Sequence, residues 1–123
     1  MKFLIIEDSM LYQKFIVKKL KENFTDAVYL TANSGEEGYQ KYLEEKPDFV
    51  LLDLLLPDKK GQDVLKSIYE YNPNVKVIVI SADVQNMVRK EVESIGILNF
   101  FNKPLTDDKV EDLVKIIEEN YDA

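Results

Sequence analysis

Apolar residues gather in five short, nearly unbroken runs along the chain: FLII (3–6), AVYL (27–30), FVLL (49–52), VKVIVI (75–80) and ILNFF (97–101). A strand with one wet face alternates apolar and polar positions, whereas a strand covered on both faces does not. Most of these runs are β-branched or aromatic and lack that alternation, so each is read as a buried strand. Between them the spacing becomes helical. Leu11, Phe15, Ile16, Leu20 and Phe24 recur on one helix face behind a candidate N-cap at Ser9. Val84, Val88, Val92 and Ile95 form a second stripe. Val110, Leu113, Val114 and Ile117 form a third, opened by Thr106, Asp107 and Asp108. Two weaker helices are predicted over 34–45, with Tyr39, Tyr42 and Leu43 on one side, and over 61–71, with Val64, Leu65, Ile68 and Tyr71. A strand thus precedes a helix five times. That alternation predicts an α/β fold, a doubly wound parallel sheet with helices on both faces and right-handed crossovers. No repeat, linker or break in composition interrupts it, so residues 1–123 are expected to form a single domain.

Composition narrows the chemistry. At 46% hydrophobic and 32% charged the chain has the make-up of an ordinary globule. Its net charge of −7 disfavours direct contact with nucleic acid or an anionic membrane. Cysteine and histidine are both absent, which excludes disulfides, thiolate chemistry and Ser-His-Asp or Cys-His machinery. Carboxylates, lysine, hydroxyls, backbone amides and a hard metal ion remain. The first apolar run has only four residues before Glu7 and Asp8, too few for a signal peptide, and no run reaches membrane-spanning length. A cytoplasmic location is expected.

In open α/β sheets ligands bind outside the carboxyl ends of the strands. The first run is followed by Glu7 and Asp8, the third by Asp53, the fourth by Ser81, and the fifth by Asn102, Lys103 and Pro104. Three carboxylates, a hydroxyl and an ammonium are therefore expected along one edge of one sheet. Asp53, set in the apolar segment FVLLDLLLP, then lies at a rim and not in the core. Acids gathered so closely repel one another, and Mg²⁺ bound by carboxylates, waters and a phosphoryl oxygen relieves that repulsion.

The set IIEDS, LLDLLLP, VIVISAD and FFNKP, in this order, resembles the receiver domain of two-component response regulators, stand-alone chemotaxis-type members among them. The resemblance covers essentially the whole chain. It implies a flavodoxin-like (βα)5 sheet of order 2-1-3-4-5. It implies that Asp53 is the phosphoacceptor, and that Asp8, Asp53 and the backbone carbonyl of Leu55 hold Mg²⁺ with Glu7 acting through water. Ser81 corresponds to the switch hydroxyl, Phe100 to the switch aromatic and Lys103 to the family's lysine. Gly61 corresponds to the glycine that lets the loop after the third strand turn.

The function so implied is a phosphorylation-dependent signalling switch and not a metabolic enzyme. A histidine kinase or histidine phosphotransfer protein is the expected donor. The expected output is a downstream effector protein at the face of the fourth helix, fifth strand and fifth helix, around Asn86, Arg89, Lys90, Glu93, Asn99, Lys109 and Asp112. The molecule is expected to be a monomer or a phosphorylation-promoted dimer, and no output domain is visible in the sequence. A receiver cut from a larger multidomain regulator is the alternative. A phosphatase with its aspartate nucleophile after the first strand fits less well, since no Asp-x-Asp follows that run. A flavodoxin fits less well too, because EDSMLYQ offers acids where a flavin phosphate would sit.

Overall fold

The computed structural model describes residues 1–122. Five strands, β1 (Lys2–Ile6), β2 (Val28–Ala32), β3 (Phe49–Leu52), β4 (Val77–Ser81) and β5 (Asn99–Asn102), alternate with five helices. These are α1 (Met10–Lys21), α2 (Gly35–Glu45), α3 (Gly61–Tyr71), α4 (Asn86–Ile95) and α5 (Asp107–Asn120). All strand pairs are parallel and the sheet order is β2-β1-β3-β4-β5. This is the doubly wound order expected from the resemblance.

The unbroken apolar runs have a simple cause. Side chains alternate across a strand, and here both faces are covered. Phe3, Ile5, Phe49, Leu51, Ile78 and Ile80 join one core with Ile16 and Leu20 of α1 and Leu113 and Ile117 of α5. Their neighbours Leu4, Ile6, Val50, Leu52, Val77 and Val79 join a second core with Tyr42 of α2, Leu65 and Ile68 of α3 and Val92 of α4. No helix among the described residues is long and apolar enough to cross a membrane.

Several edges differ from the sequence reading. β2 begins one residue later than AVYL and continues through Thr31 and Ala32, while β4 takes in Ser81. In α1 the predicted stripe is out of phase at its start. Leu11 is 82% exposed, and the buried positions are Gln13, Ile16 and Leu20. Phe24 lies past the end of α1, where its ring meets Phe3 with centroids 5.7 Å apart. Val84 precedes α4 and is also exposed. Tyr71, given to the apolar side of α3, is exposed as well. Ser9 caps α1 as expected, its Oγ accepting from Tyr12 N at 3.2 Å, whereas Thr106 makes no side-chain capping bond to α5.

Candidate functional site

The ladder hydrogen bonds run one residue past three strand ends and so fix the backbone of the site. Asp53 N donates to Ile6 O at 3.0 Å, Glu7 N to Ala32 O at 3.0 Å and Lys103 N to Ser81 O at 3.0 Å. Glu7 and Asp53 therefore leave neighbouring strands side by side, and Ser81 flanks Asp53 from β4. β3 is the central strand, so Asp53 is held from both sides.

Side chains then converge on Asp53. Its Oδ1 accepts from Ser81 Oγ at 2.8 Å and from Leu55 N at 3.1 Å. Its Oδ2 accepts from Lys103 Nζ at 3.1 Å. Lys103 Nζ also donates to Glu7 Oε1 at 2.5 Å, and Glu7 Oε2 accepts from Ser9 N at 3.0 Å. Asp53 and Glu7 are only 5% and 2% exposed and Ser81 is fully buried, while Asp8 faces solvent. Carboxylate oxygens of Glu7, Asp8 and Asp53 all lie within 4.8 Å of one another.

Electrostatics follow from that crowding. Burial raises the Glu7 pKa, and the Asp53 charge adds to the rise. Together they outweigh the hydrogen bonds from Lys103 and Ser9. Burial works against the Lys103 ammonium, yet bonds to Glu7 and Asp53 hold its pKa above the usual lysine value. The two directions agree, because the ammonium meets two carboxylates whereas Glu7 meets one ammonium and a second acid. Three carboxylates against one ammonium leave two negative charges, which one divalent cation balances. Oxygen donors of this kind suit a hard cation such as Mg²⁺.

The loop after β3 is fastened twice. Gly61 N donates to Leu54 O at 3.0 Å, and a Cβ on Gly61 would lie 2.5 Å from Leu54 Cα and 2.6 Å from Asp53 O. Glycine is required there for close backbone approach. Asp58 reaches across to α2 and accepts from Gly35 N at 2.8 Å and Glu36 N at 2.9 Å. Leu55 exposes its side chain to solvent. Phe100 is buried on β5, with the Arg89 guanidinium 5.1 Å from its ring centroid. Asn86, Arg89, Lys90 and Glu93 are exposed on α4 and Asp112 on α5, with Asn99 and Lys109 half-buried beside them.

Three contributors escaped the sequence reading. Gln13 is buried behind the acidic pair, and its Nε2 lies within bonding distance of Glu7 O (2.5 Å), Ala32 O (3.2 Å) and Asn33 Oδ1 (2.6 Å). Tyr12 lies beneath Lys103, and Asp58 caps α2. An apolar stripe gives no signal for Gln13 or Tyr12. The proline–acid pair Pro57–Asp58 was a visible turn signal, though its partner was not.

A sheet of this order, with an acidic cluster, a hydroxyl and a lysine at the carboxyl ends of its strands, defines a class of phosphoryl-accepting α/β proteins. Residues 3–116 match the family model described as response regulator receiver domain, and the chain belongs to that family. It is a receiver-domain phosphorylation switch of two-component signalling and not a metabolic enzyme. The chemotaxis protein CheY of Thermotoga maritima is 36% identical over 110 residues, which cover 87% of this chain and 88% of that one. Sporulation initiation phosphotransferase F of Bacillus subtilis is 33% identical, covering 93% of this chain and 90% of that one. Among solved structures, the CheX-CheY-BeF3-Mg+2 complex from Borrelia burgdorferi superposes with a TM-score of 0.86. It is 28% identical and covers 98% of this chain and 90% of that one.

Proposed function

We propose that Asp53 accepts a phosphoryl group from a histidine kinase or histidine phosphotransfer protein. The observation that carries the reading is the environment of one carboxylate, with Ser81 Oγ at 2.8 Å from one oxygen and Lys103 Nζ at 3.1 Å from the other. A carboxylate is ionised at neutral pH and needs no general base. Its oxygen forms a bond to phosphorus while the P–N bond to the donor imidazole breaks and leaves the electron pair on nitrogen. Asp8, Asp53, the Leu55 carbonyl and, through water, Glu7 are the groups that would hold Mg²⁺. The ion supplies neutralisation of charge on the phosphoryl oxygens. The beryllofluoride and magnesium of the Borrelia relative support this assignment.

Ser81 and Lys103 would then turn to the new acceptor oxygens. Ser81 joins Asp53, the residue after β3, to β4, whose neighbour β5 carries Phe100, with Val79 and Phe100 directly paired. That path leads to α4, where a recess of about 140 Å³ lies between Phe100, Arg89, Asn86 and Asp83. We read this α4–β5–α5 face as the docking surface of a downstream effector protein. Arg89 and Glu93, with a 3.7 Å separation, give it the mixed charge that suits a protein partner. On this reading residues 1–123 act as one receiver unit in the cytoplasm.

The test is incubation with a small acyl-phosphate donor and Mg²⁺ followed by intact mass measurement. One phosphoryl group should be gained by the wild type and none by Asp53→Asn. An equal gain in Asp53→Asn would overturn the phosphoacceptor, and a gain undiminished by complete chelation would overturn the role of the metal. For the output face, beryllofluoride with Mg²⁺ should shift amide resonances both around Asp53 and within residues 84–112. Silence across 84–112 would remove this route.

A further inference from the structure

We infer that Tyr12 is a positioning residue for Lys103, holding the ammonium in place for the phosphoryl group. The inference rests on the reading of Lys103 as the lysine that meets that group. Lys103 Nζ lies 4.3 Å from the centroid of the Tyr12 ring while it bonds to Glu7 and Asp53. The same phenol reaches past the lysine to the backbone, where its Oη accepts from Leu105 N at 2.9 Å. Tyr12 therefore grips the Lys103 segment at two points, the charged tip and the peptide two residues on.

Tyr12 is itself well fixed. Its N–H is taken by Ser9 Oγ at the start of α1, and its ring leans on Phe15 with centroids 5.5 Å apart. Phe15 in turn packs against the core beneath α1 and α5. The lysine is thus referenced to the rigid first helix as well as to its own strand.

The choice of an aromatic ring has a physical consequence. Glu7 and Asp53 attract the ammonium, but both also belong to the acidic cluster that a divalent cation would engage. When phosphoryl oxygens arrive, Lys103 must exchange the Asp53 carboxylate for them. A ring face attracts the ammonium without net charge, so it neither competes for metal nor repels the phosphoryl oxygens. It keeps Lys103 at the rim during the exchange. Losing it should weaken the complex that Lys103 helps to hold by about three- to tenfold. Metal binding alone should hardly change, because Tyr12 makes no hydrogen bond to the three carboxylates among the described residues.

The experiment compares wild type with Tyr12→Leu, Tyr12→Phe and Lys103→Ala. Beryllofluoride affinity at saturating Mg²⁺, Mg²⁺ affinity alone, and the NMR shifts of the Lys103 ε-methylene protons are measured in each. Wild type and Tyr12→Phe should show those protons shifted upfield by the ring. Tyr12→Leu should lose that shift and bind beryllofluoride three- to tenfold more weakly, with Mg²⁺ affinity within about twofold of wild type. Tyr12→Phe should keep most of the beryllofluoride affinity, which separates the ring from the Leu105 tether. A merely structural role would weaken Mg²⁺ and beryllofluoride together, and that result overturns the inference. So does Tyr12→Leu binding beryllofluoride as tightly as wild type while Lys103→Ala does not, or Lys103 protons without an upfield shift in wild type. Loss of affinity in none of the variants, Lys103→Ala included, would instead overturn the assignment of Lys103.

Discussion

Replacing Gly61 by alanine adds one methyl group at the point where α3 presses on the end of β3. The new carbon would sit 2.5 Å from Leu54 Cα and 2.6 Å from Asp53 O, where ordinary contact begins at 3.4 Å. Both obstacles are backbone and cannot rotate away, so the loop or the start of α3 must move by roughly one ångström. Overpacking of this kind costs ~1–3 kcal/mol, and the upper end applies because the two closest atoms are backbone. Gly61 is the first residue of α3, where helix propensity counts for little, so the net loss should be about 2–3 kcal/mol. Urea unfolding followed by circular dichroism should show a midpoint lower by roughly 1 M. Mg²⁺ affinity should fall as well, because the atoms being struck belong to Asp53 and its neighbour. Gly35→Ala is the control: its methyl meets the exposed, flexible Lys59 stem and one methyl of the buried Val64, but no backbone atom as close. It should cost less and leave Mg²⁺ affinity unchanged. A Gly61→Ala protein as stable as wild type would refute the close approach. Lost stability with unchanged Mg²⁺ affinity would refute the link from that contact to the site.

Asp8 is the exposed acid of the cluster and forms no ion pair among the described residues, so Asp8→Asn should raise the melting temperature of the metal-free protein by a few degrees. Mg²⁺ should raise the wild-type melting temperature further, and Asp8→Asn should lose most of that rise; equal responses would mean that the acids do not act together. Glu7 has a folded pKa above 4.5, so its ionisation costs stability at neutral pH, and that cost fades as pH falls through the folded value towards 4.5. Wild type should therefore gain on Glu7→Gln in melting temperature between pH 7 and 4.5, and a loss over that window would refute the sign. Lys103, raised above 10.5, contributes stability below that pH and loses it as pH climbs through the folded value, a step that Lys103→Met should lack. Gln13→Leu should cost ~1–3 kcal/mol in urea unfolding, because the Glu7 and Ala32 carbonyls lose a donor; an unchanged midpoint would mean that water replaces the amide.

The sheet and the rim were legible because each depends on a short-range pattern. β3 coincides with FVLL, a run of strand length set off by Asp48 and Asp53 on either side. Asp53, Ser81 and Lys103 were readable because the residues after parallel strands share one edge whatever the strand order. Strand order itself came only with the resemblance. What surrounds the rim was not legible, because it depends on contacts far apart in the chain. Gln13 occupies a buried helix position that hydropathy assigns to solvent, and its justification is three acceptors brought by other segments. Leu11 fits the spacing of a core stripe, yet α1 presents it to solvent. Gly61 was expected to matter for the turn, and the structure gives a different reason, the near collision with Asp53 O.

One asymmetry of packing bears on the energetics of switching. The Asp53 amide is bonded within the central strand ladder, between two cores. Of the ten residues of α4, Val92 alone is buried, and no side chain caps the helix at Gln85. Hydrogen exchange should reflect that contrast. Amides of β3 should open only when the whole molecule unfolds, whereas those of α4 should open locally at lower free energy. On the function proposed above, the chemistry would be anchored in a tightly held central strand and its readout in a loosely held helix. A modest free energy released at the rim would then be enough to shift α4 while the sheet beneath it stays closed.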